Sequence, residues 1–171
     1  MIAHIPVMCA EMVEQLRPGR GGSFVDCTVG LGGHARALLD AGASRLLGLD
    51  RDLQALAHAR AALAPWGDRV TLVHADYRDL DRVLQAQGID AIDGAIADLG
   101  VSSLQLDAPG RGFSFQRDEP LDMRMDTSTG ETAAQWLSRV PEKELADVIF
   151  QFGEERFSRR IARALVAGRD V

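Results

Sequence analysis

Asp26-Cys27-Thr28-Val29-Gly30-Leu31-Gly32-Gly33-His34 follows directly on the short apolar run Phe24–Val25. A strand that closes on an acid and opens into glycines before a helix is the local signature of a ligand-binding α/β sheet. A second junction of the same kind lies about seventy residues on. There the apolar run Ala91–Ala97 ends in Asp98-Leu99-Gly100-Val101-Ser102-Ser103-Leu104-Gln105-Leu106-Asp107. Two further strand patterns, Leu46–Leu49 and Val70–His74, lie between them, each with an acid at or just beyond its end, Asp50 and Asp76. Helical patterns at His34–Ala41, Leu53–Ala64 and Leu80–Gln87 separate the strands. That alternation predicts βαβ units and a parallel sheet. Asp52 is the expected N-cap of the second of these helices, whose apolar face is read as Leu53, Leu56, Ala57, Ala61 and Ala64. An N-terminal helix is expected over Val7–Leu16, closed by Pro18-Gly19.

Beyond Asp107 the character changes. Residues 108–130 are rich in Pro, Gly, Asp and Arg and read as a long functional loop. Helices are expected at Ala133–Leu137, Glu142–Phe152 and Glu154–Val166, and no fifth strand pattern follows. The division expected is therefore 1–107 for the sheet and 108–171 for a loop and helical subdomain, with the edge beyond Ala91–Ala97 left uncovered.

The 171 residues, 46% of them hydrophobic, suffice for a buried core. No apolar run approaches the ~20 residues needed to span a bilayer, so no membrane partner is expected. No secretory signal is visible at the N-terminus, and Cys9 and Cys27 suggest neither a disulfide framework nor a zinc site. A cytoplasmic protein without a metal is the expectation. The net charge of −6 argues against a surface that coats nucleic acid generally. One local exception is the run of Arg156, Arg159, Arg160 and Arg163, which shares an arc of the last predicted helix. Phe157, Ile161, Ala164 and Leu165 occupy another arc. The arginines serve either as the solvated face of an amphipathic helix or as a stripe meeting RNA phosphates.

The loop chemistry narrows the ligand. A carboxylate at Asp26, so near the glycines, would repel a pyrophosphate but suits the cationic amino-acid end of S-adenosylmethionine. Asp50 stands eighteen residues after Gly32, at a distance that fits an acid bonded to both ribose hydroxyls. Arg51 beside it would suit a 2′-phosphate, and Asp50 opposes that use. His74-Ala75-Asp76-Tyr77 can offer a polar contact and a ring contact to adenine, although a tyrosine there also packs well at a sheet rim. Asp98 and the Leu99 carbonyl can orient an exocyclic amine toward a methyl donor, the alternative being a loop cap.

Taken together these residues resemble the bacterial small-subunit ribosomal RNA cytosine-N4 methyltransferase family. The resemblance runs through His4-Ile5-Pro6-Val7, the Asp26 and Asp50 junctions, Asp98–Ser103, Gln105-Leu106-Asp107 and Arg111-Gly112-Phe113-Ser114-Phe115. It continues through Pro120-Leu121-Asp122-Met123-Arg124-Met125-Asp126 and Gly153-Glu154-Glu155-Arg156-Phe157 to Arg160-Ile161-Ala162-Arg163. It implies a Rossmann-like class I methyltransferase sheet of strand order 3-2-1-4, here incomplete, with a partial helical insertion. It also implies an S-adenosylmethionine pocket lined by Gly32, Gly33, His34, Asp50, Tyr77, Asp98 and Gln105, and methyl transfer to N4 of a cytidine in 16S ribosomal RNA or the small ribosomal subunit. Glu119 stands where the family usually has glycine or another small residue. Leu99-Gly100-Val101 replaces the Pro-Pro-aromatic run of general amino-methyltransferases, so a base-stacking ring would come from Phe113 or Phe115, unless these anchor the loop. The family is much longer than this chain. Two rivals follow: a catalytically incomplete fragment that only binds nucleoside or RNA, and a nicotinamide-dinucleotide oxidoreductase domain, against which Asp26 and the missing G-x-G-x-x-G both speak.

Overall fold

The computed structural model describes residues 6–169. Its core is a four-stranded parallel sheet of β1 (Ser23–Asp26), β2 (Arg45–Asp50), β3 (Val70–His74) and β4 (Gly94–Ile96), in the order β3-β2-β1-β4. The helices between strands are α2 (Gly33–Asp40), α3 (Leu53–Leu63) and α4 (Leu80–Ala86), with α1 (Cys9–Leu16) before β1. This is the expected Rossmann-like methyltransferase architecture. The chain divides into two compact units, one of residues up to Leu104 together with Met125–Thr127, the other of Gln105–Arg124 with Ser128 onward.

Period-two alternation builds the sheet's two cores. Phe24 and Leu46 point to one face, where they meet Leu38, Leu39, Leu56, Ala59 and Leu63. Val25, Leu47 and Leu49 point to the other, against Val83. Gly48 is small by necessity, because a Cβ there would come within 2.7 Å of Leu72 and 3.0 Å of Val29. Cys27 is buried in the second core as a free thiol.

Two expectations need correction in this unit. The buried face of α3 is Ala55, Leu56, Ala59 and Leu63, whereas Leu53 is exposed and so are Ala57 and Ala61. In a helix this rich in alanine, several faces carry similar apolar character, and the two interior leucines decide between them. β4 is also shorter than Ala91–Ala97. Its start is fixed by Asp93, whose N–H donates to the Ser23 carbonyl at 2.8 Å while its carboxylate accepts from Ser23 N at 2.7 Å. Its end comes where the Asp98 N–H turns to the Thr28 hydroxyl at 2.8 Å instead of continuing the ladder. Ala95 is exposed, and β4 is one of the two edge strands among the described residues, β3 being the other.

The other unit holds most of α5 (Ser103–Asp107), then α6 (Ala133–Leu137), α7 (Glu142–Gly153) and α8 (Ser158–Ala167). Thr132 and Gln135 form a reciprocal capping box at α6. Val140, Leu145, Ala146 and Ala162 make a small core. The expected helix Glu154–Val166 begins four residues late, because Glu154 adopts a left-handed conformation (φ 52°) and closes α7. Arg156 therefore precedes α8 rather than lying in it. The apolar arc also shifts, since Ser158 and Ala162 are the buried residues of α8, while Phe157, Ala164 and Leu165 are exposed.

Candidate functional site

Three acids gather where the strands end. Asp26 closes β1, Asp50 closes β2, and Asp98 lies two residues beyond β4. The register sets β1 between β2 and β4, with Asp26 opposite Gly48 on one side and Ile96 on the other. Open α/β sheets place ligands at this carboxyl edge, where strand order reverses between β1 and β4.

The segment from Cys27 to Gly30 stitches the acids together. Cys27 N donates to the Ile96 carbonyl at 2.9 Å, and Val29 N to the Leu49 carbonyl at 2.8 Å. Thr28 Oγ1 accepts from the Asp98 N–H, and Gly30 N donates to Asp50 Oδ2 at 2.8 Å. Asp52 N donates to the other Asp50 oxygen at 2.9 Å, so both oxygens are oriented by backbone. Asp52 itself is buried and caps α3 by accepting from Gln54 N at 3.0 Å, as the sequence led us to expect. Burial pushes the Asp50 carboxyl above its ordinary range despite these amides. Sequence reasoning left Thr28, whose hydroxyl holds the Asp98 N–H, without a role; the signal available was its place between Asp26 and Gly30 in Asp-x-Thr-x-Gly.

Asp26 is the most perturbed group. It is 1% exposed, one oxygen accepts from Thr28 N at 3.1 Å, and Oδ2 is buried without a hydrogen-bond partner. Burial, reinforced by Asp50 and Asp98, lifts its pKa to about 7, against the opposing pull of the Thr28 amide and His34.

The glycines form a close-fitting turn. Gly32 has φ +86° and caps α2, with Leu63 so near that a Cβ would sit 3.2 Å from its side chain. A Cβ on Gly33 would reach within 2.4 Å of Pro6. His34 opens α2, and its Nε2–H donates to the Val7 carbonyl at 2.8 Å, tying the N-terminal segment to the loop. Asp26, Gly32, Gly33, His34, Asp50 and Asp98 thus surround one edge.

Farther along that edge, beyond β3, lies a polar network. His74 Nε2 donates to the Arg51 carbonyl at 3.0 Å and stands 3.4 Å from Asp126 Oδ2. Asp76 accepts from Arg78 at 2.9–3.0 Å and lies 3.6 Å from Arg51, and the Arg78 guanidinium holds its carboxyl below the usual range. His74 and Asp76, read from sequence as adenine contacts, are thus engaged with protein groups. Tyr77 starts a short 3₁₀ turn and is 44% exposed. Asp126 was missed at this edge, because its approach from a distant loop leaves no local signal.

The remaining expected residues lie in the second unit. Gln105 on α5 is 5% exposed. Glu119 closes the turn of the long loop, its carboxylate accepting from Gly110 N at 2.6 Å and Gly112 N at 3.0 Å. Gly112 (φ +72°) leaves no room for a side chain, a Cβ there falling 2.6 Å from Asp122 N. Phe115 is 97% exposed and so anchors nothing, whereas Phe113 is half-buried. Two guanidiniums stack on the Phe157 ring, Arg156 at 4.6 Å and Arg160 at 5.0 Å from its centroid. Arg159 is exposed, and Arg163 pairs with Glu142 at 3.6 Å. Among the described residues, Arg163 is thus the one of these four arginines in an ion pair, with Glu142 at the start of α7.

A parallel 3-2-1-4 sheet with acids at the ends of β1, β2 and β4 around a glycine turn defines a Rossmann-like methyltransferase fold. The family model of the MraW methylase family matches residues 1–171, and the chain belongs to that family. Ribosomal RNA small subunit methyltransferase H of Sorangium cellulosum (strain So ce56) is 50% identical over 167 residues, covering 98% of this chain and 53% of that protein. The protein of the same name from Carboxydothermus hydrogenoformans is 48% identical over 168 residues, covering 98% and 54%. That from Salinispora tropica is 51% identical over 176 residues, covering 98% and 47%. The chain spans about half the length of the curated relatives it matches.

Proposed function

We propose that the carboxyl edge of β1, β2 and β4 binds S-adenosylmethionine and that the protein to which this chain belongs methylates N4 of a cytidine in 16S ribosomal RNA. The observation that carries the reading is the anchoring of two strand-end acids to one glycine-bearing turn: Asp98 through its backbone N–H to Thr28, Asp50 through Gly30 N. The residues suit the group. The unpartnered oxygen of Asp26 suits an ammonium, the fixed carboxylate of Asp50 suits two ribose hydroxyls, and the Gly32–Gly33 turn admits a ligand close to backbone. Tyr77 offers an exposed ring beyond β3 for adenine. A pyrophosphate-bearing dinucleotide suits these acids poorly, which disfavours the nicotinamide reading.

When bound, S-adenosylmethionine supplies an electrophilic methyl on a sulfonium. An exocyclic amine is a weak nucleophile because its lone pair is delocalised into the ring. Asp98 accepts a hydrogen bond from that amine and aims its lone pair along the line of transfer. Thr28 holds the backbone from which Asp98 works. The arginines at Arg156, Arg159 and Arg160 offer phosphate contacts to the RNA. No membrane partner enters this reading; no helix among the described residues is long and apolar enough to cross a membrane. A cytoplasmic location follows from a ribosomal substrate.

Methyl transfer from labelled donor to small-subunit RNA, followed by digestion to nucleosides and mass spectrometry, tests this function. The expected product is N4-methylated cytidine, made by the whole protein and lost with Asp98→Ala. Label in another base would overturn the assignment. Donor binding by this chain without transfer would support the binding-fragment reading for the chain alone.

A further inference from the structure

Asp26 has a property that ligand binding at this edge must address. It is paired in register between β2 and β4, and one of its carboxyl oxygens has neither water access nor a hydrogen-bond partner. A buried anionic oxygen left in that condition is costly. The charged and titratable groups around it come from every neighbouring element. Asp50 at the end of β2 and Asp98 beyond β4 both oppose a negative charge on Asp26, and His34 on α2 favours it. The adjacent Cys27 thiol is pushed up by its own burial first and by Asp26 second. Three carboxylates therefore share one small region with a single imidazole.

We propose that Asp26 carries a proton in the free protein and surrenders it when an ammonium group docks beside the Asp26–Asp50–Asp98 cluster, so that capture of an amino-acid-bearing nucleoside is coupled to proton release. This rests on the S-adenosylmethionine reading of the site. The charge balances: the carboxylic acid becomes a carboxylate paired with the ligand's ammonium, and one proton passes to solvent. No covalent bond to the ligand forms. The pKa of about 7 places the exchange in the physiological range. Above it, the carboxylate waits ionised and binding releases nothing. Below it, each pH unit weakens capture by about tenfold, because the proton must first leave.

Calorimetric titration in buffers of contrasting ionisation enthalpy counts the protons. S-adenosylhomocysteine keeps the ammonium and lacks the sulfonium charge. 5′-Methylthioadenosine keeps the nucleoside and lacks the amino-acid end. At pH 6 the first should release about one proton and the second close to none, and the release should shrink as pH is raised to 7.5. Asp26→Asn, which cannot ionise and keeps the side-chain shape, should bind S-adenosylhomocysteine without proton release and with no pH dependence from this position. Equal release by both ligands, or unchanged release in Asp26→Asn, would overturn the proposal. Binding of S-adenosylhomocysteine to the wild type without any release would overturn it while leaving the site's identity standing. Failure of either nucleoside to bind would remove the site reading itself.

Discussion

Asp26→Asn should also change how folding stability responds to pH, in the absence of any ligand. In the unfolded chain the carboxyl titrates at the ordinary 3.8, and in the folded protein at about 7. The folded state therefore binds this proton more tightly than the unfolded state does. Between these two values the folded form holds the proton while the unfolded form has lost it, so the group's contribution to stability falls as pH rises. Three pKa units at 1.36 kcal/mol each amount to a cost of about 4 kcal/mol, fully developed above pH 7 and absent below about pH 4. Asparagine carries no such proton and keeps an oxygen to accept from Thr28 N. The raised Asp50 carboxyl acts in the same direction in both proteins, so it largely cancels in the comparison. Urea melts followed by far-ultraviolet circular dichroism at half-unit steps from pH 4 to 8 give the difference directly. The variant should match the wild type near pH 4 and exceed it by several kcal/mol at pH 8. A pH-independent difference, or a wild type that gains on the variant with rising pH, would refute the reasoning.

Three further outcomes follow from the packing and the charges. Asp52→Ala should cost about 1 kcal/mol in the same melts, because it removes the side chain that caps α3 at Gln54 N. Leu38→Ala should cost about 2–5 kcal/mol, since Leu38 is fully enclosed between α2 and the sheet. Arg159→Ala should reduce the slope of log affinity for RNA against log salt by about 0.7–0.9, measured by filter binding, whereas Arg163→Ala, already paired with Glu142, should change it less.

What the sequence disclosed was local and repetitive. Val70–His74 carries its strand signal in β-branched residues, and β3 has those bounds in the structure. The acid at each strand end is visible as a residue type, and the parallel order follows from the alternation of strands and helices. The faces of α3 and α8 were harder to read, since alanines and arginines give several arcs of similar apolarity and only packing partners choose among them. The limits of β4 depend on Asp93 meeting Ser23 and on Asp98 meeting Thr28, both contacts across seventy residues. The roles of Glu119 and Asp126 are equally non-local. Each lies in the aperiodic loop, where no pattern predicts that one carboxylate will bridge two glycine amides or another reach His74.

The edge formed by Asp26, Asp50 and Asp98 is proposed as a nucleoside site for a methyl donor. A crystal structure of the complex with S-adenosylhomocysteine tests it most directly. The ribose hydroxyls are expected within hydrogen-bond distance of Asp50, the ammonium toward Asp26, and the sulfur facing Asp98. A nucleoside bound elsewhere, or one whose ribose turns away from Asp50, would contradict it.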